Sequence, residues 1–130
     1  LEVIDEGAFL WAIAEVESGN NDRAEGAHGE RGRWQFMRAT WGDLMPRASF
    51  ADAFNRDTAA VAAHKLYAEN LARLNARGLP VDVRHMAAAW NYGAGTQLLE
   101  NIARNFDYPA RVAALYADRV AAGAQEGGRK

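Results

Sequence analysis

The stretch DEGAFLWAIAEVESGNN, residues 5–21, has the pattern of a buried helix that ends at an acidic residue. Asp5 is a residue type that caps helix starts, Gly19 is the type that ends helices in the left-handed conformation, and the apolar residues between them follow three-four spacing. Glu17 therefore falls in the last turn, where the free carbonyl groups carry partial negative charge and disfavour a carboxylate. The ordinary explanation of such a residue is a solvated side chain at a helix end. The apolar positions of this helix are Ala8, Phe9, Ala12, Ile13 and Val16.

Helical periodicity also dominates the rest of the chain, and no strand-like alternation persists. The spacing predicts a short helix over residues 38–44 and the longest helix over residues 57–77, which Gly78 follows. Asp82 is expected to open the helix DVRHMAAAWNY, which ends at Gly93. The predicted apolar stripe of the longest helix comprises Val61, Leu66, Tyr67, Asn70, Leu71 and Leu74.

The C-terminal part of the chain is predicted to contain two further helices. Thr96 is expected to cap a short one, and Pro109 suits the first turn of a last helix that ends near Gly123. The tail of about residues 124–130 is predicted to be disordered. Residues 1–130 are therefore predicted to form a single all-α domain of about six helices.

A long glycine-rich loop over residues 19–35 separates the first two predicted helices. Loops of this length in a small domain are generally functional or disordered. Trp34 and Phe36 lie at its far end, and because aromatic side chains favour burial, we expect the loop to be ordered. The interpretation is a functional loop that begins beside Glu17.

Composition excludes several classes of function. The chain has 130 residues, 25% of them charged, a formal net charge of -2, and basic residues spread along the sequence, so no nucleic-acid-binding stripe is visible. Cysteine is absent and the histidines lack His-Glu-x-x-His spacing, so we expect no disulfide, no metal site and no cofactor. No apolar run approaches membrane-spanning length, and no signal peptide is visible. We expect a monomer.

Two motifs resemble the catalytic signature of the soluble lytic transglycosylases (SLT), a family in the lysozyme-like superfamily. The first is ESGNNDRAEGAHGERGRWQF, residues 17–36, and the second is AAWNYGAG, residues 88–95, where the family has Ala-Ala-Tyr-Asn-Ala-Gly-x-Gly. The motifs occur in the family's order on a chain with an all-α pattern, so the resemblance implies a lysozyme-like fold. The positions of the first motif that match without a gap are Glu17, Ser18, Gly29, Gly32 and Gln35.

The resemblance implies a specific reaction. The family cleaves the β-1,4 bond between N-acetylmuramic acid and N-acetylglucosamine in bacterial peptidoglycan, and one glutamate acts first as acid and then as base. The muramoyl 6-hydroxyl attacks the anomeric carbon, and the product is a 1,6-anhydro sugar. Carried over by position, Glu17 is that acid and base, a role that requires a raised pKa of its carboxyl group. The implied partners are peptidoglycan glycan strands, and the implied setting is the cell envelope or a phage-encoded enzyme.

Substrate-binding residues follow from the resemblance and from the chemistry of sugars. Aromatic rings stack on the apolar faces of pyranose rings, and amide groups bind the polar edges. Trp90 stands where the family has a tyrosine near the catalytic carboxyl, and Tyr92, Tyr108 and Tyr116 are the candidates for the missing phenol. The predicted substrate-binding residues are Ser18, Gln35, Phe36, Met37, Trp90, Asn91, Tyr92 and Tyr116.

Three departures from the family pattern leave the type of product open. Gly26 replaces a family serine, Trp90 has no phenolic hydroxyl, and the family's final Glu–Tyr motif is absent. A goose-type lysozyme-like hydrolase on the same scaffold is the alternative, and it would need a second carboxyl group, for which the loop offers Asp22, Glu25 and Glu30. A catalytically inactive cell-wall-binding module is the third hypothesis.

Overall fold

The computed structural model describes residues 3–128, and the burial of side chains through residue 124. The first helix, α1, comprises Glu6–Ser18. The side chain of Asp5 accepts a hydrogen bond of 3.0 Å from the Ala8 N–H, and Gly19 ends the helix in the left-handed conformation, with φ at 66°. The predicted start and end of α1 are confirmed, and Glu17 lies in its last turn.

The described residues contain six α-helices, one short 3₁₀ helix that the sequence does not predict, and no strand. The predicted all-α fold class is therefore confirmed, while the assignment of residues 1–130 to a single domain stays a prediction. The elements after α1 are α2 (Arg38–Leu44), the 3₁₀ helix (Phe50–Phe54), α3 (Arg56–Ala76), α4 (Val83–Tyr92), α5 (Leu99–Asn105) and α6 (Asp107–Gly128).

Two predicted helix boundaries are wrong. Helix α5 begins at Leu99, not directly after Thr96, because the Thr96 hydroxyl accepts a hydrogen bond of 3.3 Å from the Leu98 N–H and so orders the turn before the helix. Helix α6 continues past Gly123 to Gly128, since one glycine within a helix costs only about 1 kcal/mol relative to alanine and alanines surround it. Of the predicted tail, residues 129–130 lie outside the described residues.

Helix α4 carries much of the core and positions the second motif. Its residues 86–89 are buried, three of them alanines that allow close approach of neighbouring helices, and both α1 and α4 pack against α6.

On α3 the predicted stripe is wrong at Val61, which is 49% exposed, because alanines form the buried face at that end of the helix. The buried residues of α3 are Ala59, Ala62, Ala63, Tyr67, Asn70 and Leu74.

The glycine-rich loop is ordered and folds back on itself. Arg31 pairs with Glu25 and with Phe36 in isolated antiparallel bridges, and the Ser18 hydroxyl donates a hydrogen bond of 2.6 Å to the Arg33 carbonyl oxygen. Gly32 has φ at 82°, and a Cβ atom there would overlap the carbonyl oxygen of Ala53 in the 3₁₀ helix. The loop is therefore fastened to α1 at one side and to the 3₁₀ helix at the other.

Ion pairs add a further link between this loop and α3. The Asp22 carboxylate accepts a hydrogen bond of 2.8 Å from Arg33 Nε and another of 3.1 Å from Arg56 Nε. The hydrogen bond from Arg33 is the main reason that the pKa of Asp22 is lowered.

Within residues 3–128, no helix has the length and apolar character needed to cross a membrane.

Candidate active site

Glu17 is half-buried and is held by a tyrosine from the other end of the chain. Its Oε2 accepts a hydrogen bond of 2.7 Å from the hydroxyl of Tyr108, which lies in the first turn of α6. Burial raises the pKa of the Glu17 carboxyl above its ordinary value, and the negative charge of Glu30 adds to this effect. The hydrogen bond from Tyr108 and the positive charge of Arg111 act in the opposite direction without cancelling it.

A cavity of about 260 Å³ opens beside the Glu17 carboxyl group. Residues of the glycine-rich loop form one side, and residues of α2, α3 and α4 form the rest. Aromatic rings and polar side chains occur together in its wall, which is the combination that sugar-binding sites use. The lining residues are Glu17, Glu30, Trp34, Gln35, Phe36, Met37, Thr40, Leu66, Trp90 and Asn91.

Two of the aromatic residues in the wall also belong to the core. Trp34 is buried and its indole N–H donates a hydrogen bond of 2.9 Å to the Leu10 carbonyl oxygen. Phe36 is buried between Trp41 and Trp90, with ring centroids at 5.6 and 6.3 Å. These contacts make the aromatic wall rigid, because each ring is fixed by packing behind it.

Gln35 is positioned by an uncommon backbone conformation. Its φ is 53°, in the left-handed region that few residues other than glycine adopt, and its side-chain Nε2 donates to the carbonyl oxygens of Gly32, at 2.9 Å, and Ala24, at 3.2 Å. The amide thus closes the loop upon itself while its residue lines the cavity. A strained residue at such a place is typical of functional sites.

Glu30 occupies the space that a side chain at position 26 would need. A Cβ atom on Gly26 would lie 2.6 Å from Glu30 Oε2 and 2.7 Å from Gln35 Oε1. The Glu30 carboxylate is anchored by a hydrogen bond of 2.7 Å from the His28 N–H. The structure thus brings a second carboxylate into the cavity of Glu17, and it excludes the other two loop carboxylates considered from the sequence, Asp22 and Glu25, from the lining.

Five of the predicted substrate-binding residues line this cavity, and three do not. The Ser18 hydroxyl is engaged with the loop backbone, where it also accepts a hydrogen bond of 3.0 Å from the Asn21 N–H. Tyr92 is 41% exposed and its ring packs against Phe106 and Tyr108. The residues that do line the cavity are Gln35, Phe36, Met37, Trp90 and Asn91.

The third residue, Tyr116, lies near the opposite end of α1 from Glu17. Its hydroxyl accepts a hydrogen bond of 2.9 Å from the Asp5 N–H, so the structure does not bring Tyr116 to the cavity of Glu17. Tyr108, another candidate for the phenol that the family has near its catalytic carboxyl, lies beside Glu17 instead. Burial raises the pKa of Tyr108, which keeps its hydroxyl protonated and able to donate.

Sequence reasoning also missed Thr40 and Leu66 as cavity residues. Leu66 belongs to the predicted stripe of α3, but nothing in the pattern distinguishes a cavity wall from the core, and no signal points to Thr40.

Within the described residues, no group of three or more histidine, aspartate or glutamate side chains is placed to hold a metal ion.

The family model described as the transglycosylase SLT domain matches residues 5–111 of the chain. The chain belongs to this family. The matched segment includes Glu17, the glycine-rich loop, α4 and Tyr108. Membership in the family confirms the resemblance seen in the sequence. It supports glycosidic chemistry of the lytic transglycosylase type in general. It also implies peptidoglycan as the substrate and an extracytoplasmic or phage setting. No curated protein and no solved structure was found to match this SLT domain.

Proposed function

We propose that this SLT domain cleaves the β-1,4 bond between N-acetylmuramic acid and N-acetylglucosamine in peptidoglycan, with Glu17 as general acid and base. The observation that carries the proposal is the Glu17 carboxyl group, which lies at a cavity with aromatic and amide walls and has a raised pKa. A raised pKa lets a carboxyl group keep its proton to higher pH, and a general acid needs that proton to protonate a glycosidic oxygen.

In the first step the Glu17 proton moves to the bridging oxygen, and the bond from that oxygen to the muramoyl C1 breaks. The Glu17 carboxylate that results is stabilised by the hydrogen bond from Tyr108. In the second step the carboxylate takes the proton of the muramoyl C6 hydroxyl, whose oxygen forms the new bond to C1. The product is a 1,6-anhydro sugar, no water is consumed, and Glu17 regains its proton.

Hydrolysis is the second candidate reaction, and the position of Glu30 favours it. Glu30 lines the same cavity as Glu17, and a glycosidase that activates water for attack uses a second carboxylate as base. In this version Glu17 again protonates the leaving oxygen, Glu30 takes a proton from a water molecule, and the water oxygen bonds to C1. The product then has a reducing end.

Digestion of purified cell-wall sacculi, followed by mass analysis of the soluble fragments, tests both versions. We expect fragments with 1,6-anhydro ends, and at least about a hundredfold slower release by Glu17→Gln, because loss of a general acid typically costs that much. Glu15→Gln, on the same helix and outside the cavity lining, is the matched control and should retain activity. Reducing ends would instead support hydrolysis, and binding to sacculi without fragments would support an inactive wall-binding module.

A further inference from the structure

Three aromatic side chains form a cluster where the end of α4, the end of α5 and the start of α6 come together. Tyr92 is the last residue of α4, Phe106 follows α5, and Tyr108 lies in the first turn of α6. The ring centroid of Tyr92 is 5.5 Å from that of Phe106 and 6.5 Å from that of Tyr108, with interplanar angles of 90° and 89°. Perpendicular pairs at these distances are favourable aromatic contacts. Tyr92 thus joins the end of α4 to the tyrosine that is hydrogen-bonded to Glu17.

Positions 90 and 92 both depart from the family motif in the second conserved segment. The motif has tyrosine and alanine there, whereas this chain has Trp90 and Tyr92. Trp90 lines the cavity of Glu17 without a hydroxyl group, and the phenol that contacts the carboxyl comes from Tyr108. An alanine at position 92 would not reach Tyr108, because its side chain is a single methyl group. The chain therefore combines a different source of the phenol with an additional ring that contacts it.

The orientation of the Tyr108 ring decides whether its hydroxyl reaches Glu17. A tyrosine side chain has two rotatable torsions, and a hydrogen bond of 2.7 Å requires the ring to keep one setting of both. Tyr108 packs against the hydrophobic core but is only partly buried, so the core does not enclose its ring completely. Tyr92 supplies a contact from α4, and because Phe106 contacts Tyr92 in turn, packing fixes the position of both tyrosine rings.

Tyr92 lies outside the cavity of Glu17, which separates it from the residues that form the cavity wall. Its side chain is 41% exposed and does not belong to the lining. The ionisable groups that act on Glu17 and Tyr108, besides each other, are Glu30 of the loop, Arg111 of α6 and Tyr92 itself. Glu30 and Arg111 are retained in every variant of Tyr92, so such variants report on the aromatic contact.

We infer that Tyr92 is a positioning residue, whose ring holds Tyr108 in the orientation in which its hydroxyl donates to Glu17. This inference rests on the proposed function, because it concerns the carboxyl group that acts there as acid and base. The ring of Tyr92 is needed and its hydroxyl is dispensable. Loss of the ring should weaken the hydrogen bond from Tyr108, and since that bond favours the charged carboxylate, Glu17 should then keep its proton to higher pH.

The test measures the pKa of Glu17 without relying on activity. NMR titration of the carboxyl carbons in protein with isotope-labelled glutamate gives this pKa, and the Glu17 signal is identified by its loss in Glu17→Gln. Tyr92→Ala should raise the pKa of Glu17, by less than Tyr108→Phe does, whereas Tyr92→Phe keeps the ring and should leave it unchanged. Val120→Ala, at a position of α6 with a similar exposure of 40% and outside the cavity lining, is the matched control and should also leave it unchanged.

A double variant separates positioning from an independent effect. Because Tyr92 acts only through Tyr108 in this inference, Tyr92→Ala should have no further effect in the Tyr108→Phe background. In the otherwise wild-type protein it should slow fragment release from sacculi about twofold to tenfold, the effect of losing one aromatic contact, and move the alkaline limb to higher pH. Additive losses in the double variant, an unchanged pKa of Glu17 in Tyr92→Ala, or an equal shift in Tyr92→Phe would overturn the inference.

Two further measurements keep the outcomes distinguishable. Melting temperatures show whether each variant is folded, and if Tyr92→Ala is not, Tyr92→Leu, which keeps apolar bulk without a ring, replaces it with the same expected shift. A raised pKa of Glu17 in Tyr92→Ala, together with a wild type that releases no fragments, would remove the proposed function and leave the positioning of Tyr108 standing. An active wild type with an unchanged pKa of Glu17 in Tyr92→Ala would do the reverse.

Discussion

The hydroxyl of Tyr108 donates a hydrogen bond of 2.7 Å to Oε2 of Glu17, across 91 residues of sequence. This contact favours the charged form of the carboxyl group, whereas burial and the nearby Glu30 favour the neutral form. An acid that must donate a proton and then take one back needs both kinds of neighbour. The opposing effects of Tyr108 and Glu30 on one carboxyl group lead to two paired predictions.

Removal of the Tyr108 hydroxyl should raise the pKa of Glu17 further. Because the reaction needs protonated Glu17, activity falls as pH rises through that pKa, and Tyr108→Phe should move the alkaline limb of the kcat/KM profile to higher pH. The rate at the optimum should fall about tenfold or more, since hydrogen bonds to charged groups contribute about 1.5–3 kcal/mol. The measurement is the pH profile of fragment release from sacculi.

Tyr116→Phe is the matched control for that variant. It removes the hydroxyl that accepts from the Asp5 N–H and should cost about 1 kcal/mol of stability with no change in the pH profile. A shift of the alkaline limb in Tyr116→Phe, or a shift to lower pH in Tyr108→Phe, would contradict the role given to Tyr108.

Glu30→Gln should produce the opposite shift. The negative charge of Glu30 raises the pKa of Glu17, so its removal should lower that pKa and move the alkaline limb to lower pH. The same variant reports on the reaction type: if Glu30 activates water, reducing ends should disappear from the products while anhydro ends persist. Glu25→Gln, in the same loop and outside the cavity lining, should change neither quantity.

The sequence correctly placed Glu17 in the last turn of α1, because that position depends on α1 alone. A cap at Asp5, three-four spacing and Gly19 are local signals, and each is where the pattern predicts it. The choice between Tyr108 and Tyr116 depends on how α6 packs against α1, and the two residues are separated by roughly 12 Å along α6. No local pattern encodes that register, so the sequence left both tyrosines as candidates and could not tell which of them lies beside Glu17.

The sequence also could not predict the side-chain directions within the glycine-rich loop, although the residues concerned are close together in the chain. The aromatic residues at its end correctly predicted order, but the direction of each side chain depends on backbone turns that the sequence does not specify. Ser18 turns toward the loop backbone and Glu30 turns into the cavity, where Gly26 leaves it space. The family serine missing at position 26 was the available signal that another group occupies that volume.

The contact between the loop and the 3₁₀ helix should depend on Gly32. A Cβ atom at this position would overlap the Ala53 carbonyl oxygen, and the left-handed backbone adds strain. We expect Gly32→Ala to lower the free energy of unfolding by about 3 kcal/mol or more, from left-handed strain and overpacking together. Gly29→Ala is matched in backbone conformation, with φ at 84° and open space around it, and should cost only about 1 kcal/mol. Urea unfolding measures both, and equal losses would contradict the steric explanation.

The stability of Glu17→Gln should depend on pH in a way that reports the raised pKa directly. In the unfolded chain Glu17 titrates near 4.5, and in the folded protein burial raises its pKa above that value. Between the two values the native state binds more protons than the unfolded state, so this group reduces stability as pH rises through the interval. Glutamine has no proton to lose. The variant should therefore match the wild type below about pH 4.5, gain stability relative to it as pH rises, and keep a constant advantage above the folded pKa. Urea unfolding at a series of pH values measures the difference, and an advantage that is constant from acid to neutral pH would mean that Glu17 titrates alike in both states. That result would remove the electrostatic basis for its role as the acid.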